Sequence, residues 1–188
     1  MKKYNVIDLF AGCGGLSEGF EQSEYFNLSA YVEWEKAPAA TLLKRLEEKW
    51  KRKNAGELIF RFDMKRTKEL LHGWKDDKEY DSHSGLLKHL GNKKINIIIG
   101  GPPCQAYSLA GRIRDEFGMA RDYRNYLFES YLTLTKKFSP QLFLFENVPG
   151  ILSARPNGIN IIEKIVSGFN KIGYAITDNL KENALINM

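Results

Sequence analysis

Apolar, strand-like runs recur along this chain, and the stretches between them carry helical periodicity. The runs cover residues 4–9, 28–32, 58–62, 95–99 and 141–145, with a weaker one at 174–180. Leu43, Leu46 and Trp50 share one helical face, as do Leu127, Tyr131, Leu134 and Phe138, and again Ile159, Ile162, Val166 and Phe169. Strand–helix alternation of this kind predicts a parallel sheet covered on both faces. Apart from the weak last run, the strands are largely apolar rather than alternating, as strands buried on both faces are. The expected fold class is therefore α/β, a doubly wound, mostly parallel sheet.

A chain of 188 residues fits one domain. Its 43% hydrophobic and 27% charged residues are those of a globular protein, with no low-complexity tract. A formal charge of +5 suits a polyanionic partner, although many basic proteins never touch nucleic acid. Two cysteines, Cys13 and Cys104, imply no disulfide framework. The N-terminus lacks the apolar core of a signal peptide, and no apolar run approaches the ~20 residues that cross a bilayer. A reducing, cytoplasmic setting is the default. The charged run at 44–53 and the polar patch at 76–80 read as a solvated helix face and a surface loop.

The first strand ends in Asp8-Leu9-Phe10-Ala11-Gly12-Cys13-Gly14-Gly15-Leu16-Ser17. Glycines at a strand-to-helix turn admit positive φ and let a ligand approach the backbone. Glu33 ends the second strand about 20 residues later, where a ribose-binding carboxylate is expected. Beside it, the Trp34 indole could cover an adenine face. The match to a dinucleotide fingerprint is imperfect, because Ser17 holds the third glycine position. By itself the loop leaves a tight turn and a cofactor site about equally open, and Trp34 taken alone reads as a core residue.

The fourth strand runs into Gly100-Gly101-Pro102-Pro103-Cys104-Gln105, and the fifth into Glu146-Asn147-Val148. In doubly wound sheets ligands bind beyond the carboxyl ends of the strands, which puts Cys104 on the functional edge behind two stiffening prolines. A lone cysteine is more often a small buried hydrophobe than a nucleophile, but this loop setting reverses that expectation. Glu146, after four apolar residues, is either an exposed strand-end charge or a partly desolvated acid.

Taken in order and at this spacing, residues 8–15, Glu33-Trp34, Pro102-Pro103-Cys104-Gln105 and Glu146-Asn147-Val148 resemble the motifs of DNA (cytosine-5-)-methyltransferases over essentially the whole chain. The resemblance implies the Rossmann-like fold of S-adenosylmethionine-dependent methyltransferases. S-adenosylmethionine would lie over Gly12, Gly14 and Gly15, flanked by Ala11 and Leu16, with Phe10 and Trp34 against the adenine. Glu33 would hold the ribose, Asp63 the adenine amino group and Leu127 the methionine end, with Met64 and Pro102 also in the cofactor site. Cys104 would be the nucleophile and Glu146 the acid acting on a flipped-out cytosine in double-stranded DNA. Pro103, Gln105, Ser108, Asn147, Val148, Arg112 and Arg114 would contact the base or the DNA. No metal is implied.

The resemblance further implies a restriction-modification or epigenetic marking role and a bacterial-type cytoplasmic protein associated with the nucleoid. A Gln-x-Arg-x-Arg motif, the last strand of the fold and a target-recognition domain are expected after the point where this sequence stops. Residues 1–188 are thus read as an incomplete catalytic domain, inactive or nearly so alone, unless a second chain supplies the rest. Rival readings are an RNA (tRNA) cytosine-5 methyltransferase and a non-catalytic nucleic-acid-binding subunit. An NAD-dependent oxidoreductase would leave Cys104 and Glu146 unexplained.

Overall fold

The computed structural model of the protein describes residues 3–103, 127–155, 158 and 160–177. The five strong apolar runs form strands β1 (Tyr4–Leu9), β2 (Phe26–Glu33), β3 (Ile59–Arg61), β4 (Ile97–Gly100) and β5 (Leu142–Phe145). Helices α1 (Ser17–Glu21), α2 (Lys36–Lys44), α3 (Ala55–Leu58), α4 (Thr67–His72), α5 (Leu86–Leu90), α6 (Leu127–Phe138) and α7 (Ile161–Lys171) accompany them. All pairings are parallel, in the order β3-β2-β1-β4-β5. The strand order reverses between β1 and β4, so a crevice opens beyond their carboxyl ends.

Two apolar layers flank the sheet. On one face Ile7, Leu9, Ala30 and Val32 pack with Leu70, Leu86, Tyr131, Leu134 and Phe169. On the other, Val6, Leu28, Tyr31, Ile97 and Ile99 pack with Leu42, Leu46 and Ala55. Leu28 and Tyr31 are three residues apart yet share a layer, because the β1–β2 register slips by one residue between Val6 and Ile7. Leu42 and Leu46 are almost wholly out of water, each worth about 2 kcal/mol of burial.

Three expectations change. The apolar face of α7 is centred on Ile161, Ile165 and Phe169, with Ile162 and Val166 only half-buried. Phe169 stacks on Phe143 of β5 (centroids 4.1 Å apart, planes 14°), and that stack fixes the rotation of the helix. The run at 174–180 forms no strand among its described residues. Instead Tyr174 packs edge-on against Phe143 and donates a 2.6 Å hydrogen bond to the Pro140 carbonyl. The charged run after α2 is not merely solvated. It continues as a π-helical turn, Arg45–Lys49, where Arg45 and Lys49 pair with Glu18 while Arg52 pairs with Glu21 (3.0 Å), clamping α1 and the glycine turn before it.

Asp8 is the exception in the apolar half of β1. It has no exposure, and neither carboxylate oxygen has a hydrogen-bond partner. Burial pushes its pKa up to about 7. The Ser17 hydroxyl, facing it without closing a regular bond, opposes the rise, and the Glu33 charge adds to it. An unfolded aspartate titrates near 4, so the fold holds a proton there that the unfolded chain releases. That contribution to stability is complete below about pH 4 and is lost as pH rises through about 7. Asp8→Asn keeps the shape and needs no proton. Between about pH 5 and pH 7.5 the wild-type melting temperature is expected to fall on the order of 5 °C further than that of the variant. Parallel slopes in thermal melts would show Asp8 to be ionised throughout.

Candidate active site

The carboxyl ends of β1 to β4 surround one shallow hollow, lined by Phe10, Val32, Glu33, Trp34, Asp63, Met64, Pro103 and Leu127. Six of these were singled out in the sequence as cofactor residues. Pro103 was assigned to the base side, and Val32 was missed because nothing in an apolar run marks which of its residues will border a ligand. Trp34 is 37% exposed, so it walls the hollow rather than filling a core.

The turn after β1 is built to leave space. Phe10, Gly12 and Gly14 have φ of 62°, 55° and 83°. Side chains at Gly12 or Gly15 would meet no atom within 4 Å, so the volume above the turn is open to a ligand. Ala11 donates to the Val32 carbonyl (2.9 Å) and Gly14 to that of Ala11 (2.8 Å), which ties the turn to β2. Leu16 points away, into the layer under α2, and Pro102 is buried. Neither they nor Ala11 and the glycines line the hollow.

Glu33 is 6% exposed, and backbone amides hold both its oxygens. Its Oε2 accepts the Gly12 N–H at 2.7 Å and its Oε1 accepts the Glu35 N–H at 2.8 Å. Each oxygen keeps a lone pair, so the carboxylate can still receive hydroxyl donors from a ligand. Asp63 caps the short helical turn Met64–Arg66, accepting from the Lys65 N–H at 2.9 Å. Behind it Phe62 stacks on Trp74 (3.9 Å, 22°) and touches Tyr80 (4.9 Å). Arg66 lies over the Phe62 ring and is held by Glu69 and Asp77. The patch at 76–80 is therefore a strap behind Asp63 rather than a free surface loop, and Tyr80 is buried in it.

Beyond β5, Glu146 is exposed, the first of the two alternatives its sequence position allowed. Its backbone N–H donates to the Gly100 carbonyl (2.9 Å), and its carboxylate lies so close to Gly101 that a Cβ there would sit 2.5 Å from Oε2. Asn147 donates from Nδ2 to the Pro102 carbonyl at 3.1 Å, while its Oδ1 accepts the Val148 N–H at 3.0 Å. Glu146 and Asn147 thus brace the Gly100–Pro102 segment, which leads directly to Pro103 in the hollow. Cys104, Gln105, Ser108, Arg112 and Arg114 lie outside the described residues. Among the described residues no group of three or more His, Cys, Asp or Glu could hold a metal, and no helix is long and apolar enough to cross a membrane.

The arrangement fits an adenosyl-type ligand. The lining is apolar apart from two carboxylates, one of them oriented by backbone amides, and the glycine turn leaves room for close approach. The C-5 cytosine-specific DNA methylase family matches residues 4–184. The type II methyltransferase M.Bpa9945I of Bacillus paralicheniformis is 34% identical, over 91% of this chain and 46% of its own length. A DNA (cytosine-5)-methyltransferase of Paracentrotus lividus, PliMCI, is 31% identical over 93% of this chain and 10% of its own. Among solved structures, the Entamoeba histolytica methyltransferase EhMeth has the same fold, with a TM-score of 0.53 at 19% identity, covering 91% of this chain and 44% of that one. The chain spans less than half the length of each of these relatives. It belongs to the C-5 cytosine-specific DNA methylase family.

Proposed function

We propose that this chain provides the donor site and catalytic groups of an enzyme that methylates C5 of cytosine in DNA. The observation that carries the reading is the meeting, at one crevice, of the Glu33-anchored glycine turn, the Trp34 and Asp63 walls, and the Pro103 segment braced by Glu146.

S-adenosylmethionine, when bound, supplies an electrophilic methyl group on a sulfonium. Phe10 and Trp34 would flank its adenine, Asp63 would meet the adenine edge, and Glu33 would accept from the ribose hydroxyls. Cytosine C5 is too weak a nucleophile to attack unaided. The Cys104 thiolate, next in sequence after Pro103, adds to C6 and pushes the C5–C6 electron pair onto C5. Glu146 hydrogen bonds to and protonates N3, stabilising the charge that develops in the ring. After C5 has gained its methyl group, loss of the C5 proton and expulsion of the thiolate restore the aromatic ring. A base inside a duplex cannot reach such a crevice, so the target is flipped out. The net charge of +5 favours the polyanion.

The relatives carry more than as much polypeptide again, and we assign target recognition to that remainder. The chain alone is accordingly expected to bind the donor without sequence-specific turnover, and catalytic assays need the remainder supplied. The names of the relatives suit a restriction-modification setting.

Under those conditions, DNA containing 5-fluorocytosine should form an adduct stable to denaturing gels, and Cys104→Ser should form none. An adduct of undiminished yield with the variant would remove the nucleophile from this reading, while trapping by tRNA and not DNA would change the polymer. Replacing Glu33 by Gln sets an N–H₂ against one of two backbone N–H groups. It is expected to weaken S-adenosylmethionine binding by about tenfold or more in calorimetry. Unchanged affinity would take Glu33 out of the donor site. Gly101→Ala displaces the Glu146 carboxylate, and is expected to lower turnover by about tenfold or more with donor affinity held within about twofold. Equal loss of both would mean that the whole crevice had shifted.

A further inference from the structure

Under the glycine turn lies a group that the mechanism above leaves unused. Asp8 occupies the central strand two residues before Phe10, fully buried, with both oxygens lacking partners. Native interiors rarely keep such a group without a reason, because an amide or an apolar side chain of similar size would cost the fold less. Its register neighbours, Tyr31 and Ile99, belong to the layer beneath α2, so the carboxyl faces the underside of the turn and the buried Ser17 rather than the hollow itself. It is nonetheless close to the hollow: Phe10, two residues further along the chain, lines it, and so does Glu33, two residues beyond Tyr31, the register partner of Asp8. In a desolvated setting the influence of a charge reaches well past contact distance.

We propose that Asp8 is a second, buried carboxylate of the donor site, acting through the glycine turn to favour the cationic methyl donor over its product. This rests on the reading of the crevice as an S-adenosylmethionine site. Donor and product, S-adenosylhomocysteine, differ by one positive charge at sulfur, and a carboxylate behind the turn senses that difference without touching either. Donor binding then favours ionised Asp8 and releases its proton to solvent, whereas product binding does so less. The surrounding groups leave Asp8 as the variable one. Glu33 and Tyr31 neighbour it on β2 and Ser17 on α1, while Tyr131 of α6 lies in the layer on the other face of the sheet. Burial raises both tyrosines far above the neutral range, and Glu21, bonded to Tyr31, is paired with Arg52. The pKa of Asp8, pushed up to about 7, puts its ionisation where it can respond.

Calorimetric titration of this chain with S-adenosylmethionine and with S-adenosylhomocysteine, at pH 6.0 and pH 7.5, tests the proposal. The preference for the donor is expected to rise about threefold or more between the two pH values in the wild type and to stay flat in Asp8→Asn. Titration near pH 7 in two buffers of different ionisation enthalpy should also show net proton release with the donor and less with the product. A wild-type preference that is flat with pH, or no excess proton release, overturns the proposal without recourse to the variant. A rise that persists in Asp8→Asn overturns it by assigning the effect to another group. Binding of neither compound at either pH overturns the donor-site reading as well, so the two failures are distinguishable.

Discussion

The carboxylate of Glu33 joins the strands on which the crevice rests. One oxygen takes the Gly12 N–H of the turn after β1, and the other takes the Glu35 N–H at the start of α2. The Glu33 backbone carbonyl accepts from Phe62, and the carbonyl of Val32 from Ala11, so the ends of β1, β2 and β3 are bound in line. Charge-assisted bonds of this kind are about twice as strong as neutral ones, and they are also what makes a nearly buried carboxylate tolerable. The strain of a phenylalanine at positive φ, of order 1 kcal/mol or more, is offset by this over-determination. A ligand hydroxyl at Glu33 would add a third donor to an acid already oriented by two.

The other side of the crevice is built more lightly. Glu146 and Asn147 meet the Gly100–Pro102 segment through one backbone bond, one amide bond and one close packing contact. Gly101 works here because it has no Cβ: the space a methyl would fill is taken by the Glu146 carboxylate. Tyr131 reinforces this side from below, its hydroxyl 3.0 Å from the carbonyl oxygens of both Ile98 and Leu144, so that α6 spans β4 and β5.

Much of this was legible in the sequence because the central strands are buried on both faces, and a doubly buried strand reads as a largely apolar run. The glycine turn, Glu33 and Trp34 gained meaning in the sequence only together, since the loop alone could have been a tight turn and Trp34 alone a core residue. What escaped depended on contacts between distant segments. The rotation of α7 follows from the Phe169–Phe143 stack, not from its own periodicity, which was shifted by about one residue. Charge runs look solvated until their partners are known, and Glu18 and Glu21 stand about 30 residues before Arg45–Arg52. The strap behind Asp63 was hidden in the same way, since Asp77 and Tyr80 acquire meaning only when Arg66 and Phe62 are beneath them.

The two sides of the crevice differ in how they depend on the rest of the protein. The donor side centres on β1 and β2, which have neighbours on both flanks, and both Glu33 oxygens are met by the backbone amides of Gly12 and Glu35. The Glu146 side belongs to β5, whose outer edge has no partner strand among the described residues. Nearby, Leu142 is 55% exposed, and Ile162 and Val166 of α7 border an open, largely apolar hollow. Any polypeptide that covered this edge would bury apolar surface there and alter the access of water to Glu146, while leaving the Glu33 bonds untouched. Under the proposed reading, donor recognition would therefore rest on the folded sheet itself. The proposed chemistry at Glu146 would respond to anything that covered the edge, so affinity for the donor and turnover are expected to respond separately to changes on the two sides.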